Sequence, residues 1–201
     1  DELLLIDDMA DLTREELGDY WGARASIWRA PWRLGVAAAF NAGVALSDGD
    51  AAFMLGSDDT MNPDCLAQCE IAWNNEIEHD RDPGECYFWV GVHYMDERQD
   101  PDQFLPCGTA MVSRALWKRC GGFPIETSTG APDAALISIL MVNKDAGRIV
   151  PVITGRVLCN YRAHNESETA GRSVAWQGPI LACRDLLTRE WKAPKWRRYE
   201  P

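Results

Sequence analysis

Two short apolar runs, each closed by a pair of aspartates, constrain the fold of this chain more than any other feature. Leu3-Leu4-Leu5-Ile6 stops at Asp7-Asp8, and the run Ala51 to Leu55 stops at Gly56-Ser57-Asp58-Asp59-Thr60. An unbroken apolar run of this length reads as a strand buried on both faces, which is the condition of strands in helix-covered parallel sheets. Thr13 opens an expected helix over Arg14 to Trp21, Ser26-Ile27-Trp28 is an expected second strand, and Gly35 to Leu46 is a helix of small residues suited to close packing on a sheet. Strands alternating with helices predict an α/β fold with a mostly parallel sheet flanked by helices.

The later chain continues in the same manner. Pro63, with Asn62 as cap, starts a helix whose apolar positions include Leu66, Ala67, Ile71 and Trp73. Cys86 to Val92 is an expected strand, 96–103 a charged loop, Gly108 to Val112 a short strand, and Ala115 to Cys120 a helix stopped by Gly121-Gly122. Residues 134–142 are apolar on all sides, which predicts a buried helix. Val150 to Tyr161 reads as a strand and Ser173 to Trp191 as a terminal helix. At 201 residues the chain fits one domain. It is expected over 1–188, with halves 1–92 and 93–171, a terminal helix 172–188 and a tail 189–201.

The formal charge of −11 opposes nonspecific binding to a polyanion. The tail is the exception, with Arg189, Lys192, Lys195, Arg197 and Arg198 against Glu190 and Glu200, and with Trp191 and Trp196 among them. A solvated helix end is the plain reading of such a segment. Contact with an anionic membrane surface or with nucleic acid is the functional one. No apolar run is long enough to span a bilayer, and no secretory leader pattern opens the sequence. The seven cysteines form no CxxC pair and are odd in number, which fits a reducing cytoplasm better than a disulfide framework, and the tail would place the protein at the inner membrane surface. Cys65 and Cys69, one helical turn apart, have no second pair in the sequence to complete a tetrahedral metal site.

Ligands of open parallel sheets bind at the carboxyl ends of strands, where both aspartate pairs fall. Carboxylates gathered on one rim repel unless a cation or hydrogen-bond donors share the site. Hard oxygen donors without adjacent Cys or His suit Mg²⁺ or Mn²⁺, ions that take one or two carboxylates plus substrate phosphates. Each pair taken alone is also what a strand-ending turn prefers.

In order along the chain, four segments resemble the family 2 glycosyltransferases. They are DELLLIDD at 1–8, RLGVAAAFNAGVALSDGDAAFMLGSDDTMNPD at 33–64, CGTAMVSRALWKRCGGF at 107–123 and YRAHNESET at 161–169. The resemblance implies the Rossmann-like GT-A fold, here without the first strand and helix usual in the family. It also implies an inverting, metal-dependent transfer of a sugar from a nucleoside-diphosphate sugar, a UDP-sugar first, to a hydroxyl acceptor. Residues 1–92 would bind the nucleotide sugar, and 93–171 would bind the acceptor and carry catalysis. Asp8 would meet the nucleotide base, Asp58 the ribose or sugar, and Asp59 the Mn²⁺ or Mg²⁺ ion. Arg33 and Asn41 would border the nucleotide pocket, although an exposed charge and a buried helix amide describe them equally well. Gly108 and Thr109 would line the donor-sugar pocket, and His164 would stand near the metal and diphosphate. Asp133, in Ala131-Pro132-Asp133, would be the catalytic base, and it could equally be a first-turn aspartate stabilising a helix dipole. Trp89 and Trp117 could stack on a sugar, though Trp is more often core.

Two other readings use the same residues, namely a nucleotidyltransferase of similar fold and a non-catalytic sugar-nucleotide or glycan binding module. Acceptor classes left open are glycan, lipid-linked, protein and modified nucleic acid, and a homo-oligomer is compatible with the sequence.

Overall fold

The computed structural model describes residues 2–11, 13, 15–94, 109–123, 136–137, 140, 147–152 and 158–162. Strand β1 (Leu3–Asp7) pairs in parallel with β2 (Ala25–Arg29), from Leu3 opposite Ala25 to Asp7 opposite Arg29. Between them the expected helix is reduced to α1 (Gly18–Gly22). Its start is displaced by a turn in which the Gly18 N–H donates to Glu15 O at 3.0 Å and Gly18 takes φ 68°, outside the helical region. The Thr13 N–H donates to Glu16 Oε2 at 2.7 Å and the Glu16 N–H to Thr13 Oγ1 at 3.3 Å, which is a capping box around a turn.

Helix α2 (Val36–Leu46) follows β2 and packs on both β1 and the next strand, β3 (Ala51–Met54). Gly43 is its point of approach, since a Cβ there would stand 3.5 Å from Ile6 Cγ1. β1 and β3 belong to separate hydrogen-bonded sheets, and no strand pairs with both among the described residues. Leu3, Leu4, Leu5 and Ile6 are therefore only half-buried, despite a sequence suited to the centre of a sheet.

A short β4 (Thr60–Met61) leads into α3 (Cys65–Glu78), whose cap position is Asp64 rather than Asn62. The Asn62 backbone is used elsewhere, its N–H donating to Leu158 O at 2.9 Å. The expected strand over 86–92 divides at Gly91 into β5 (Cys86–Val90) and β6 (Val92–Tyr94). β7 (Ala110–Ser113), α4 (Arg114–Cys120), β8 (Arg148–Val152) and β9 (Cys159–Tyr161) complete the described elements. The main sheet runs β3-β7-β5-β8, and a second runs β4-β9-β6. β7 is antiparallel to both β3 and β5, while β5–β8 and β6–β9 are parallel, so the α/β sheet is mixed and less parallel than the alternation of elements suggests.

β5, an inner strand of the main sheet, alternates between two cores, as a strand buried on both faces must. Tyr87 points to the side of Val44, Met54, Val112, Leu116 and Phe123, joined by the helical residues Leu136, Ile137 and Leu140. Cys86, Phe88 and Val90 point to the other side, with Cys65, Cys69, Val152, Leu158 and Cys159. The expected terminal helix, the charged loop and the basic tail lie outside the described residues.

Candidate functional site

The acidic turn at the end of β3 is built from its glycine outward. The Asp59 N–H donates to Gly56 O at 3.2 Å, which closes the turn and folds both side chains back toward Gly56. A Cβ on Gly56 would stand 2.9 Å from Asp59 Oδ2 and 3.0 Å from Asp58 Oδ1, so the space a side chain would fill is taken by one oxygen from each acid. The other oxygen of Asp59 faces away and accepts the Arg162 N–H at 3.0 Å. β9 is held there by its antiparallel pairing with β4, reinforced by Asn160 Nδ2 donating to Thr60 Oγ1 at 3.2 Å. The result is a half-buried pair of carboxylate oxygens on one side of a glycine, an arrangement of like charges that a cation would relieve.

These two residues fit a hard divalent ion. The donors are carboxylate oxygens, they converge, and the glycine keeps the cradle open. Among the described residues no third His, Cys, Asp or Glu joins them, which is the composition expected when water and substrate phosphates complete the shell. Thr109 is buried and immediately precedes β7, whose first residue Ala110 pairs with Met54 at the end of β3, so it adjoins the turn.

Asp8, the residue after β1, is half-buried and engaged. Its Oδ1 accepts the Leu34 N–H at 2.5 Å and its Oδ2 the Gly35 N–H at 2.9 Å. Gly35 is the cap residue of α2, with φ 77°, so the carboxylate sits at that helix's positive end. Each oxygen keeps a further lone pair for a ligand donor. Arg33 is exposed beside this loop. Asp7 faces the protein instead, accepting the Ala10 N–H at 2.7 Å and lying 3.6 Å from Arg29 Nε.

Asn41 is buried, and its amide makes three hydrogen bonds. Nδ2 donates to Phe123 O at 2.8 Å, while Oδ1 accepts from Phe123 N at 2.7 Å and from Trp117 Nε1 at 2.9 Å. The side chain is thus a buried helix amide that joins α2 to the turn at Phe123. This also assigns Trp117 to the core, and half-buried Trp89 packs against the same core. The resemblance did not point to Gly56 or to the amides of Leu34, Gly35 and Arg162 as parts of the site. The glycine before Ser57-Asp58-Asp59 and the Tyr161-Arg162 pair were the available signals. Asp133, Gly108 and His164 lie outside the described residues.

Residues 1–76, which contain Asp8, Arg33, Asn41, Asp58 and Asp59, match the model of the family described as "Glycosyl transferase family 2". The fold is of the GT-A type. A structure of Staphylococcus aureus TarS residues 1–349 in complex with UDP-GlcNAc is similar to this chain with a TM-score of 0.68 and 14% identity, covering 96% of this chain and 59% of that one. The mannosyltransferase PcManGT from Pyrobaculum calidifontis, in complex with GDP-Man and Mn²⁺, gives a TM-score of 0.60 and 20% identity, covering 96% of this chain and 56% of that one. The chain therefore spans a little over half the length of these two structures. Comparison with curated protein sequences gives no match.

Proposed function

We propose that this chain is the catalytic domain, or the greater part of one, of a metal-dependent inverting glycosyltransferase that moves a sugar from a nucleoside-diphosphate sugar, preferably a UDP-sugar, to a hydroxyl acceptor. The observation that carries the reading is the convergence of Asp58 and Asp59 over Gly56 at the end of β3, in a GT-A fold. Structures similar to it hold UDP-GlcNAc in one case and GDP-Man with Mn²⁺ in another.

Asp59, with His164, would hold Mn²⁺ or Mg²⁺, and Asp58 would contact the ribose or sugar. When bound, the ion supplies Lewis-acid stabilisation of the departing diphosphate. Asp8 would receive the nucleotide base on the lone pairs that Leu34 and Gly35 leave, with Arg33 and Asn41 at the pocket's border. Gly108 and Thr109 would line the sugar pocket. Asp133 would take the acceptor hydroxyl's proton as that oxygen attacks the anomeric carbon from the face opposite the leaving group. The acceptor class is set by segments such as 96–107 and 123–132. The cytoplasm, with the tail 189–201 against an anionic surface, is the setting proposed for it.

The test is a thermal-shift and product-release screen of UDP-, GDP- and dTDP-sugars, with and without Mn²⁺. Metal-dependent stabilisation that disappears in Asp59→Ala is expected. Stabilisation that ignores the metal and survives the substitution would count against the reading. Asp133→Asn should keep donor binding and lose transfer.

A further inference from the structure

The second core contains three cysteines brought together from different elements. Cys65 is the first residue of α3, Cys69 lies one turn further on, and Cys159 opens β9; all three are buried. The sulfurs of Cys65 and Cys159 are 3.6 Å apart, with either thiol able to donate to the other. We propose that Cys65 and Cys159 form a reversible disulfide, a redox modification that fastens the segment following the acidic turn to β9.

The geometry selects this pair. Residues four apart on one helix have Cβ atoms about 5–6 Å apart. A disulfide needs about 3.8 Å, so Cys65 and Cys69 are badly placed for each other. Cys65 and Cys159 approach from a helix and a strand that face one another, and their sulfurs must close by only about 1.5 Å to reach bonding distance. The cross-link would bracket the site. Met61 pairs with Cys159 in the β4–β9 ladder, and the Arg162 N–H, three residues beyond Cys159, binds Asp59.

Chemistry and access agree with the pairing. Hydrogen bonds from Cys159 and Cys69 hold the Cys65 thiol below the ordinary thiol range, which favours the nucleophilic thiolate. Cys69 is shifted upward by its bond to Cys65 and by burial, so it remains the protonated neighbour. Cys159 pairs with the two-residue strand β4, whose Thr60 and Met61 are exposed, and so short a ladder opens at small cost. Hydrogen peroxide is small enough to enter through such an opening. The Cys65 thiolate attacks one peroxide oxygen, the O–O bond breaks, and hydroxide leaves, giving the sulfenic acid. The Cys159 sulfur then attacks the Cys65 sulfur, the S–O bond breaks, and water carries away the Cys159 proton. Two thiols are oxidised by two electrons, and one peroxide is reduced to two waters.

The experiment treats the folded full chain with hydrogen peroxide, blocks remaining thiols with N-ethylmaleimide in denaturant, and maps peptides before and after reduction. A peptide pair joined through Cys65 and Cys159 is expected, with the loss of two hydrogens, and with Cys69 still alkylated. Cys69→Ala should retain the link, whereas Cys65→Ala and Cys159→Ala should lack it. The wild-type map decides even if a variant fails to fold. Full alkylation of Cys65 and Cys159 after peroxide, a sulfinic acid at either without a link, or either cysteine joined to a different one would overturn the proposal.

Discussion

Asn41 and Phe123, 82 residues apart, are joined through both ends of one side-chain amide, which donates to the Phe123 carbonyl at 2.8 Å and accepts from its N–H at 2.7 Å. Gly122 makes this possible. Its φ is 82°, and a Cβ there would stand 2.6 Å from Asn41 Oδ1. The Asn-containing helix and the Gly-Gly-Phe turn, which look like separate motifs in the sequence, are therefore two halves of one joint. Asn41→Ala strands two backbone groups and the Trp117 N–H in a buried site, and should cost about 3 kcal/mol in denaturant unfolding. If the amide serves only the joint, nucleotide affinity of the remaining folded protein should change little. A large loss of affinity in protein shown to be folded would put Asn41 in the pocket itself.

Gly56→Ala tests the cradle. The new methyl group would collide with Asp58 Oδ1 and Asp59 Oδ2, while the backbone keeps an allowed φ. The carboxylates must separate. Metal-dependent nucleotide binding should weaken more than about tenfold, equal to about 1.4 kcal/mol, with the melting temperature of the free protein nearly unchanged. Calorimetric titration with Mn²⁺ and UDP reads this directly. Wild-type affinity in Gly56→Ala would show that the convergence of the two acids is unimportant.

Chain-local features were legible in the sequence and distant partners were not. β1, β3 and α2 follow from apolar runs and small residues within short windows, and the acidic turn follows from its place after β3. The expected helix over 14–21 is longer than the one found, because Gly18 takes a left-handed φ of 68° that helix periodicity does not disclose. The break at Gly91 had a signal in the glycine itself, since its carbonyl accepts both Leu158 N and Cys159 N and so leaves β5 for the second sheet. Asn62 is a good cap residue in isolation, but its backbone is drawn to Leu158. Within the site, Asp58 and Asp59 could be named, whereas the Arg162 amide that orients Asp59 comes from 103 residues away. A single chain without pairing information does not disclose such a contact.

Asp8→Asn should loosen the entry to α2. Two amides, Leu34 N–H and Gly35 N–H, point at the two carboxylate oxygens. An asparagine offers one acceptor and sets an NH₂ group against the other N–H. The cost should be about 1–3 kcal/mol in global stability. Hydrogen exchange at residues 34 and 35 should accelerate far more than exchange in β5. Equal acceleration everywhere would mean that Asp8 supports the whole domain rather than this loop.

Glu76 ties α3 to the main sheet. Its buried carboxylate takes Arg81 Nη2 at 2.7 Å and Arg148 Nη2 at 2.8 Å. Both arginines reach partly into solvent, so they lose less than a buried cation would when the acid is removed. Glu76→Ala should cost about 2–3 kcal/mol, less than the 3–5 typical of fully buried pairs. Glu76→Gln, which keeps an acceptor, should cost about half as much. A double substitution with Arg148→Ala should be less destabilising than the sum of the single changes.

Cys86 sets part of the alkaline limit. Burial pushes its thiol from the ordinary 9.0 up to about 11, against the opposing pull of the Arg148 guanidinium. The folded protein keeps this proton over a range in which the unfolded chain releases it. The contribution is thus whole below pH 9 and is lost as pH rises through 11. Its size across that window should be about 2 kcal/mol. Denaturant unfolding measured at intervals between these pH values should show a shallower decline in Cys86→Ala than in the wild type. Parallel curves would assign the alkaline loss to the other buried thiols, Cys69 and Cys120, which burial also shifts upward.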